Sequence, residues 1–200
     1  WKAEPNLYIV KKEAMFSSNR SDFSPLLVGD DAEMLIVAST RRDASGDDLS
    51  AITGVKAADF FVARKDENKK WRPMELLEGE VNSEYEEGVG CMSPDGKTMY
   101  FTRCSSDPDY PRFAEIWKSQ RSDASWSKPT KCMISRDTLT SFAHPAVSPD
   151  GQWLYFVSDS PEGEGGLDIW RTRILQSGFG GMENLGRAIN TAGDEMFPAF

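Results

Sequence analysis

The sequence predicts an all-β fold, a β-propeller of four-stranded antiparallel blades, with about three and a half blades visible in the chain. Three observations carry that prediction. The stretch SPDGKTMYFTR at 93–103 returns as SPDGQWLYFVS at 148–158. Further columns keep step with it over three periods of roughly 53–65 residues, longer than most solenoid repeats. Short apolar runs are punctuated by Gly and Pro turns, and no stretch shows the 3.6-residue period of an amphipathic helix.

Each blade element can be placed in order. Strand a surrounds the column held by Pro25, Gly90, Pro145 and Pro198. Strand b is the run Met34-Leu35-Ile36, Met99-Tyr100-Phe101 or Leu154-Tyr155-Phe156. These runs are apolar at every position, the signature of a strand buried on both faces, so the sheets must stack. Strand c begins at an acid or amide followed by large apolar residues: Asn6-Leu7-Tyr8, Asp59-Phe60-Phe61, Glu115-Ile116-Trp117 and Asp168-Ile169-Trp170. Strand d lies near Trp71, Trp126 and the Phe179–Met182 segment. A last column pairs Asn82-Ser83, Asp137-Thr138 and Asn190-Thr191 ahead of Glu87, Phe142 and Glu195.

Asp95-Gly96 and Asp150-Gly151 predict two-residue primed turns between strands a and b, because Gly accepts positive φ. In the first blade the turn dipeptide has decayed to Asp30-Asp31, in the register of SPDGKTMYF. The resulting boundaries are 1–21 for the end of one blade, then blades at 22–83, 84–138 and 139–193, and 194–200 as the start of another. Residues 6–20 supply only strands c and d, so the pattern predicts that strands outside this chain complete the propeller. Trp117 and Trp170 on strand c should be buried between sheets, Trp71 and Trp126 at blade edges or between blades.

Composition narrows the function. A net charge of −9 leaves no basic stripe to neutralise phosphates, which argues against nucleic acid. Nothing approaches the run of about 18 apolar residues that a membrane helix requires. The three cysteines show no ligand spacing, so no metal or other cofactor is expected. Cys91 should face Tyr100, which leaves Cys104 too far along the ladder to bridge it. Three structural thiols are the first expectation for Cys91, Cys104 and Cys132, and one incidental disulfide the alternative. His144 precedes a column proline and reads as a blade-edge residue, not a general base.

Asp22, Glu87 and Glu195 share one register just ahead of strand a, the strand that lines a propeller's axis. Carboxylates from separate blades could act together there as in a glycosidase. A residue recurring at one register more often serves its own blade, by holding a loop or capping a strand, and no catalytic residue is assigned.

The consensus SPDG-x-x-LYF-x-S, G-x-D-IW and NLG-x-x-INT-x-x-DE-x-x-P resembles the PD40 repeats, WD40-like repeats of TolB-type propellers and of many bacterial envelope proteins. The fullest match is 148–198, and the Ile189-Asn190-Thr191 form is similar to that of the OmpA-family envelope proteins of Bacteroidetes. This resemblance implies a non-enzymatic interaction module in the periplasm, associated with the outer membrane, such as a component of the type IX secretion system. Its partners would be envelope proteins. Peptidoglycan would be reached only through a neighbouring domain outside this chain. The alternative is a carbohydrate-active or glycan-binding propeller that uses axial carboxylates.

The b–c and d–a loops should share one face, and by sequence they hold sixteen acids against eight bases, nearly all of the net charge. The candidate partner-binding acids are Asp43, Asp47, Asp48, Glu84, Glu86, Glu87, Asp107, Asp109, Glu162, Glu164, Asp194 and Glu195. They would attract a basic partner surface or divalent cations, or simply keep the loops solvated. The b–c loop at 40–58 is longer than its counterparts, and its composition suits either disorder or a partner-binding loop.

Overall fold

The computed structural model describes residues 9–29, 31–45, 49, 54–104, 114–122 and 125–200. These residues form three antiparallel sheets and no helix, so among them nothing is long and apolar enough to cross a membrane as a helix. The first sheet runs β1 (Asp22–Val28), β2 (Met34–Ser39), β3 (Asp59–Arg64) and β4 (Glu75–Leu76), in that order. The second runs β5 (Glu86–Met92), β6 (Thr98–Cys104), β7 (Ala114–Ser122) and β8 (Ser125–Trp126), and β9 (Thr130–Lys131) also pairs with β7. The third runs β10 (Phe142–Val147), β11 (Trp153–Ser158), β12 (Asp168–Leu175) and β13 (Gly178–Asn184). The first and third are meanders of neighbouring strands, the topology expected of a propeller blade, and in the second β8 and β9 both pair with β7. The expected strand at Asn6–Tyr8 lies outside the described residues, and 9–21 contain turns but no strand.

Burial explains the unbroken apolar runs. All six residues of β2 are buried, and so are four of the seven in β6. One cluster joins the first two sheets: Ile36, Phe60 and Val62 from the first meet Met99, Phe101 and Trp126 from the second. A second cluster joins the next pair, with Tyr100, Ile116 and Cys132 against Phe142, Phe156 and Trp170. A middle blade is therefore buried on both faces. Its side chains have no solvent side on which to alternate. β5 lies against β1 on one side and β10 on the other, so the strand a positions of neighbouring sheets meet along one inner edge.

The a–b turns differ from the sequence expectation. Gly96 N–H donates to Ser93 O at 2.8 Å and Gly151 N–H to Ser148 O at 2.8 Å. Positive φ occurs at Gly96 (66°) and Gly151 (70°) but at neither preceding aspartate. These are type I turns, with Ser at the first position, Pro at the second and Gly at the fourth, not primed two-residue turns. The aspartate locks the loop: Ser93 Oγ donates to Asp95 at 2.5 Å and Ser148 Oγ to Asp150 at 2.5 Å. Lys97 and Gln152 N–H add bonds of 3.1 and 3.0 Å to the same carboxylates, holding both below the usual carboxylate pKa.

In the first blade Val28 pairs with Met34, whereas Met92 pairs with Met99, so that hairpin is one residue shorter. The turn closes between Gly29 and Ala32 N–H at 3.0 Å, and Ala32 takes the left-handed conformation at φ 47°. Gly151→Val is expected to cost about 1–3 kcal/mol, since a β-branched residue resists positive φ. Ala32→Gly is expected to raise stability by up to about 1 kcal/mol. Thermal melts of the two variants check both, and equal tolerance of valine at Gly151 and an exposed extended site would exclude this turn geometry.

The Asn column has a sheet-extending role. Phe60 N–H donates to Asn82 Oδ1 at 2.8 Å while Asn82 Nδ2 donates to Phe60 O at 3.0 Å. Asn190 makes the same pair with Ile169, at 2.9 and 3.0 Å. Each carbonyl also accepts a backbone N–H, from Leu77 at 2.9 Å and from Leu185 at 3.2 Å, so what the amide supplies is the acceptor for the strand c N–H where the neighbouring strand ends. Asn190 is buried, and Asn190→Leu should cost about 1–3 kcal/mol by orphaning the N–H of Ile169, whose carbonyl keeps its bond from Leu185 N–H. Chemical denaturation checks this. A loss within error would mean that water substitutes for the amide.

Candidate functional site

Strand a carries two features repeated from blade to blade. The first is a bulge. Register slips between Phe23 and Leu26, Gly88 and Gly90, and Ala143 and Ala146. Inside each slip a non-glycine residue stands at positive φ: Ser24 (50°), Val89 (40°) and His144 (51°). Phe197 repeats the conformation at 58° although 194–200 form no strand. Neighbouring blades brace two of the bulges, for Gly90 N–H donates to Ser24 Oγ at 3.1 Å and His144 N–H to Thr102 Oγ1 at 2.9 Å. The bulge turns the proline column inward. Pro25, Gly90, Pro145 and Pro198, with Leu26 and Phe200, line an apolar groove of about 620 Å³ along the inner edge. His144 stacks on Phe197 with ring centres 4.1 Å apart, and burial holds its imidazole below the usual pKa. It is an inner-edge residue of its blade, as its position before Pro145 suggested.

The second feature is the carboxylate column, and each member is tied into its own loop. Asp22 accepts from Ser18 N–H at 2.6 Å, from Ser18 Oγ at 2.9 Å and from Ser39 Oγ at 2.7 Å, and pairs with Arg41 at 3.0 Å. Burial alone would raise its pKa, but these bonds together hold it below the usual value. Glu87 accepts from Ser83 N–H at 3.0 Å, from Ser83 Oγ and, at 2.6 Å, from Arg103 Nε. Its side chain has no solvent exposure, and that burial outweighs its partners and raises its pKa to about 7. Glu195 accepts from Thr191 N–H at 2.9 Å and Oγ1 at 2.6 Å. A Ser or Thr four residues ahead of the acid is thus a loop clasp, and in the blade where Phe142 replaces the acid, Asp137 takes over by accepting from Leu139 N–H and Thr140.

The strand c acids act similarly. Asp59 accepts from Ser45 N–H and Asp168 from Glu164 N–H, so each holds the b–c loop that precedes it. Glu115 instead pairs with Lys131 on β9.

The acidic loop face is partly neutralised from within. Glu87 is buried, Glu164 pairs with Arg187 at 2.8 Å, Asp194 accepts from Leu167 N–H at 2.9 Å, and Glu195 clasps Thr191. Asp47, Asp48, Asp107 and Asp109 lie outside the described residues. Asp43, Glu84, Glu86 and Glu162 are exposed. Among the described residues no group of three His, Cys, Asp or Glu side chains could hold a metal ion.

The cysteines are free thiols. Cys91 faces Tyr100 and Cys104 faces Glu86 across β5–β6, as the turn position required, and burial raises all three thiols to about 12.

An all-β chain of stacked antiparallel sheets with a repeated strand along one inner edge is of the propeller-blade class. No family model matches the chain, and no curated protein matches it in sequence. Solved structures do resemble it. A puromycin-hydrolysing peptidase of Mycobacterium tuberculosis aligns with a TM-score of 0.50 at 16% identity, over 83% of this chain and 23% of that one. TolB from Acinetobacter baumannii aligns at 0.48 and 14%, over 81% and 31%. A putative TolB from Agrobacterium tumefaciens aligns at 0.44 and 18%, over 92% and 67%. The chain spans less than a third of the first two structures, and at these identities the likeness concerns the fold alone.

Proposed function

We propose that this chain is part of a non-enzymatic, protein-docking propeller of a bacterial cell envelope. One observation carries the reading: the carboxylates that would have to act together at the axis are each folded into their own loops. What lines the inner edge of the sheets is an apolar, proline-lined groove. Glycoside cleavage needs two carboxyl groups aimed at one bond, one of them open to water or sugar. Glu87 is fully buried and does not meet that requirement. The finer reading rests on the Ile-Asn-Thr repeat form: an OmpA-family protein of the periplasm, held at the outer membrane, such as the PorE-like component of the type IX secretion system. The exposed acids Asp43, Glu84, Glu86 and Glu162 belong to its partner-facing loops.

Photo-crosslinkers placed at Pro25 and Ala199 in the groove, and at Glu67 on an exposed turn, test this in envelope extract. One defined protein adduct from the groove positions alone is the expected result. Turnover of cell-wall or polysaccharide fragments, abolished by Glu87→Ala with Glu195→Ala, would replace this reading with the enzymatic one. Fractionation of cells tests the location, with co-sedimentation of the outer membrane expected.

A further inference from the structure

Two adjoining cavities of about 570 and 180 Å³ open beside the base of the long 40–58 loop, and their walls share Arg20, Thr40, Val55 and Lys56. The larger is floored by Phe23 and edged by Glu86 of the next blade, so it is a cleft between the first and second sheets. Arg42 and the exposed Leu49 line the smaller.

The charge here opposes that of the chain. Arg41 is neutralised by Asp22, and Glu86 supplies one negative charge. Among the described wall residues Arg20, Arg42 and Lys56 remain, a local positive site in a chain of net charge −9, with the exposed Asp43 next to Arg42 in the loop and Asp59 attracting Lys56. Of the other described arginines, Arg64, Arg72, Arg103, Arg171 and Arg187 are ion-paired, while Arg121, Arg136 and Arg173 are not. Arg20 and Arg42 are exposed, and among the described residues neither guanidinium has an ion-pair partner. Lys56 gives one bond to Ala44 O at 2.9 Å, and an ammonium carries three donors. Guanidinium groups at a cleft mouth match a carboxylate in a forked geometry.

We infer that this cleft binds an acidic peptide segment, with carboxylates on Arg20, Arg42 and Lys56 and an apolar side chain over Phe23, Val55 and Leu49. The volume lies in the range of organic ligand pockets and far exceeds a lone phosphate. Nucleic acid would be repelled by the rest of the surface. That the ligand comes from a protein rests on the docking function proposed above. The positive sign of the site does not.

The test uses a fluorescent octapeptide of alternating Glu and Leu, its Gln-for-Glu counterpart, and inorganic phosphate as competitor. The expected result is saturable binding of the Glu peptide that weakens about tenfold or more in Arg20→Gln/Arg42→Gln and at high salt. The Gln peptide and millimolar phosphate should be inert, and Arg121→Gln should bind like the parent. Both arginines are exposed, so melting temperatures should not move. No binding of the Glu peptide, or equal binding by the double variant, overturns the inference. Full competition by phosphate overturns it in favour of a small-anion site. Groove crosslinking that survives in the double variant alongside lost peptide binding leaves both proposals standing. Peptide binding without any captured envelope protein defeats the docking function alone.

Discussion

Trp170→Ala is expected to lower stability by about 3–5 kcal/mol, the usual range for deleting a large buried aromatic. Trp170 is 2% exposed, lies opposite Phe156 across β11–β12 and belongs to the cluster joining the second and third sheets. Its indole Nε1 is buried without a hydrogen-bond partner. Trp170→Phe therefore removes an unsatisfied donor as well as volume and should cost only about 1–2 kcal/mol. Trp117, in the same strand c column, is half-buried and lies under Arg103, whose guanidinium carbon is 4.5 Å from the ring centre. Its alanine variant should lose about half as much. Urea denaturation of the three variants checks the order. A Trp170→Ala loss below about 1 kcal/mol would place that column on the solvent face.

Arg103→Met is expected to cost about 3–5 kcal/mol at pH 8 and clearly less at pH 5, because it strands a buried charge only when Glu87 is ionised. Arg103 bonds Glu87 and also donates to Val81 O at 2.9 Å. In the parent, burial has raised Glu87 from 4.5 to about 7. Between those values the folded state holds a proton that the unfolded chain has released, so this group's contribution to stability is largest below pH 4.5. It is lost as pH rises to 7 and is flat above. Asp59, raised by burial and hydrogen-bonded to Glu87, acts in the same direction, while His144, lowered by burial, opposes it on the acid side. The difference between parent and Glu87→Gln isolates the term, on the order of 1–3 kcal/mol across pH 5–8. Parallel pH profiles for the two would show that Glu87 does not titrate in this window.

Much of this was legible in the residues. The unbroken runs Met34-Leu35-Ile36 and Met99-Tyr100-Phe101 read as strands covered on both sides and so as stacked sheets, whereas in Leu154-Tyr155-Phe156 of the third sheet Tyr155 is only half-buried. The SPDG repeat placed the a–b turns and hence the pairing of Cys91 with Tyr100. Its turn type was misread because Asp-Gly suits a primed turn locally. The preceding Ser-Pro, which fits the first two positions of a type I turn, is the better signal. The bulges at Ser24 and Val89 were invisible, since neither serine nor valine favours positive φ, and only His144 carried a weak sign, histidine being enriched there. The second and third bulges hold with a brace from the preceding blade, Ser24 Oγ on Gly90 N–H and Thr102 Oγ1 on His144 N–H.

The site divides in the same way. The column of Asp22, Glu87 and Glu195 was readable as a repeat, and the Ser or Thr four residues ahead was available as the sign of a clasp. Whether those acids faced the axis or their own loops was a matter of side-chain direction, which spacing does not encode. The acidic loop face followed from counting charges, but four of its acids are engaged internally. The cleft lined by Arg20, Arg42 and Lys56 joins residues far apart in sequence, so only the packing of two sheets brings them together. Local patterning by itself determined the strands, the blade period and the turns, because those depend on neighbours along the chain. Which charges stayed free and which surfaces opened was decided by contacts between blades, where burial sets the cost of every unpaired group.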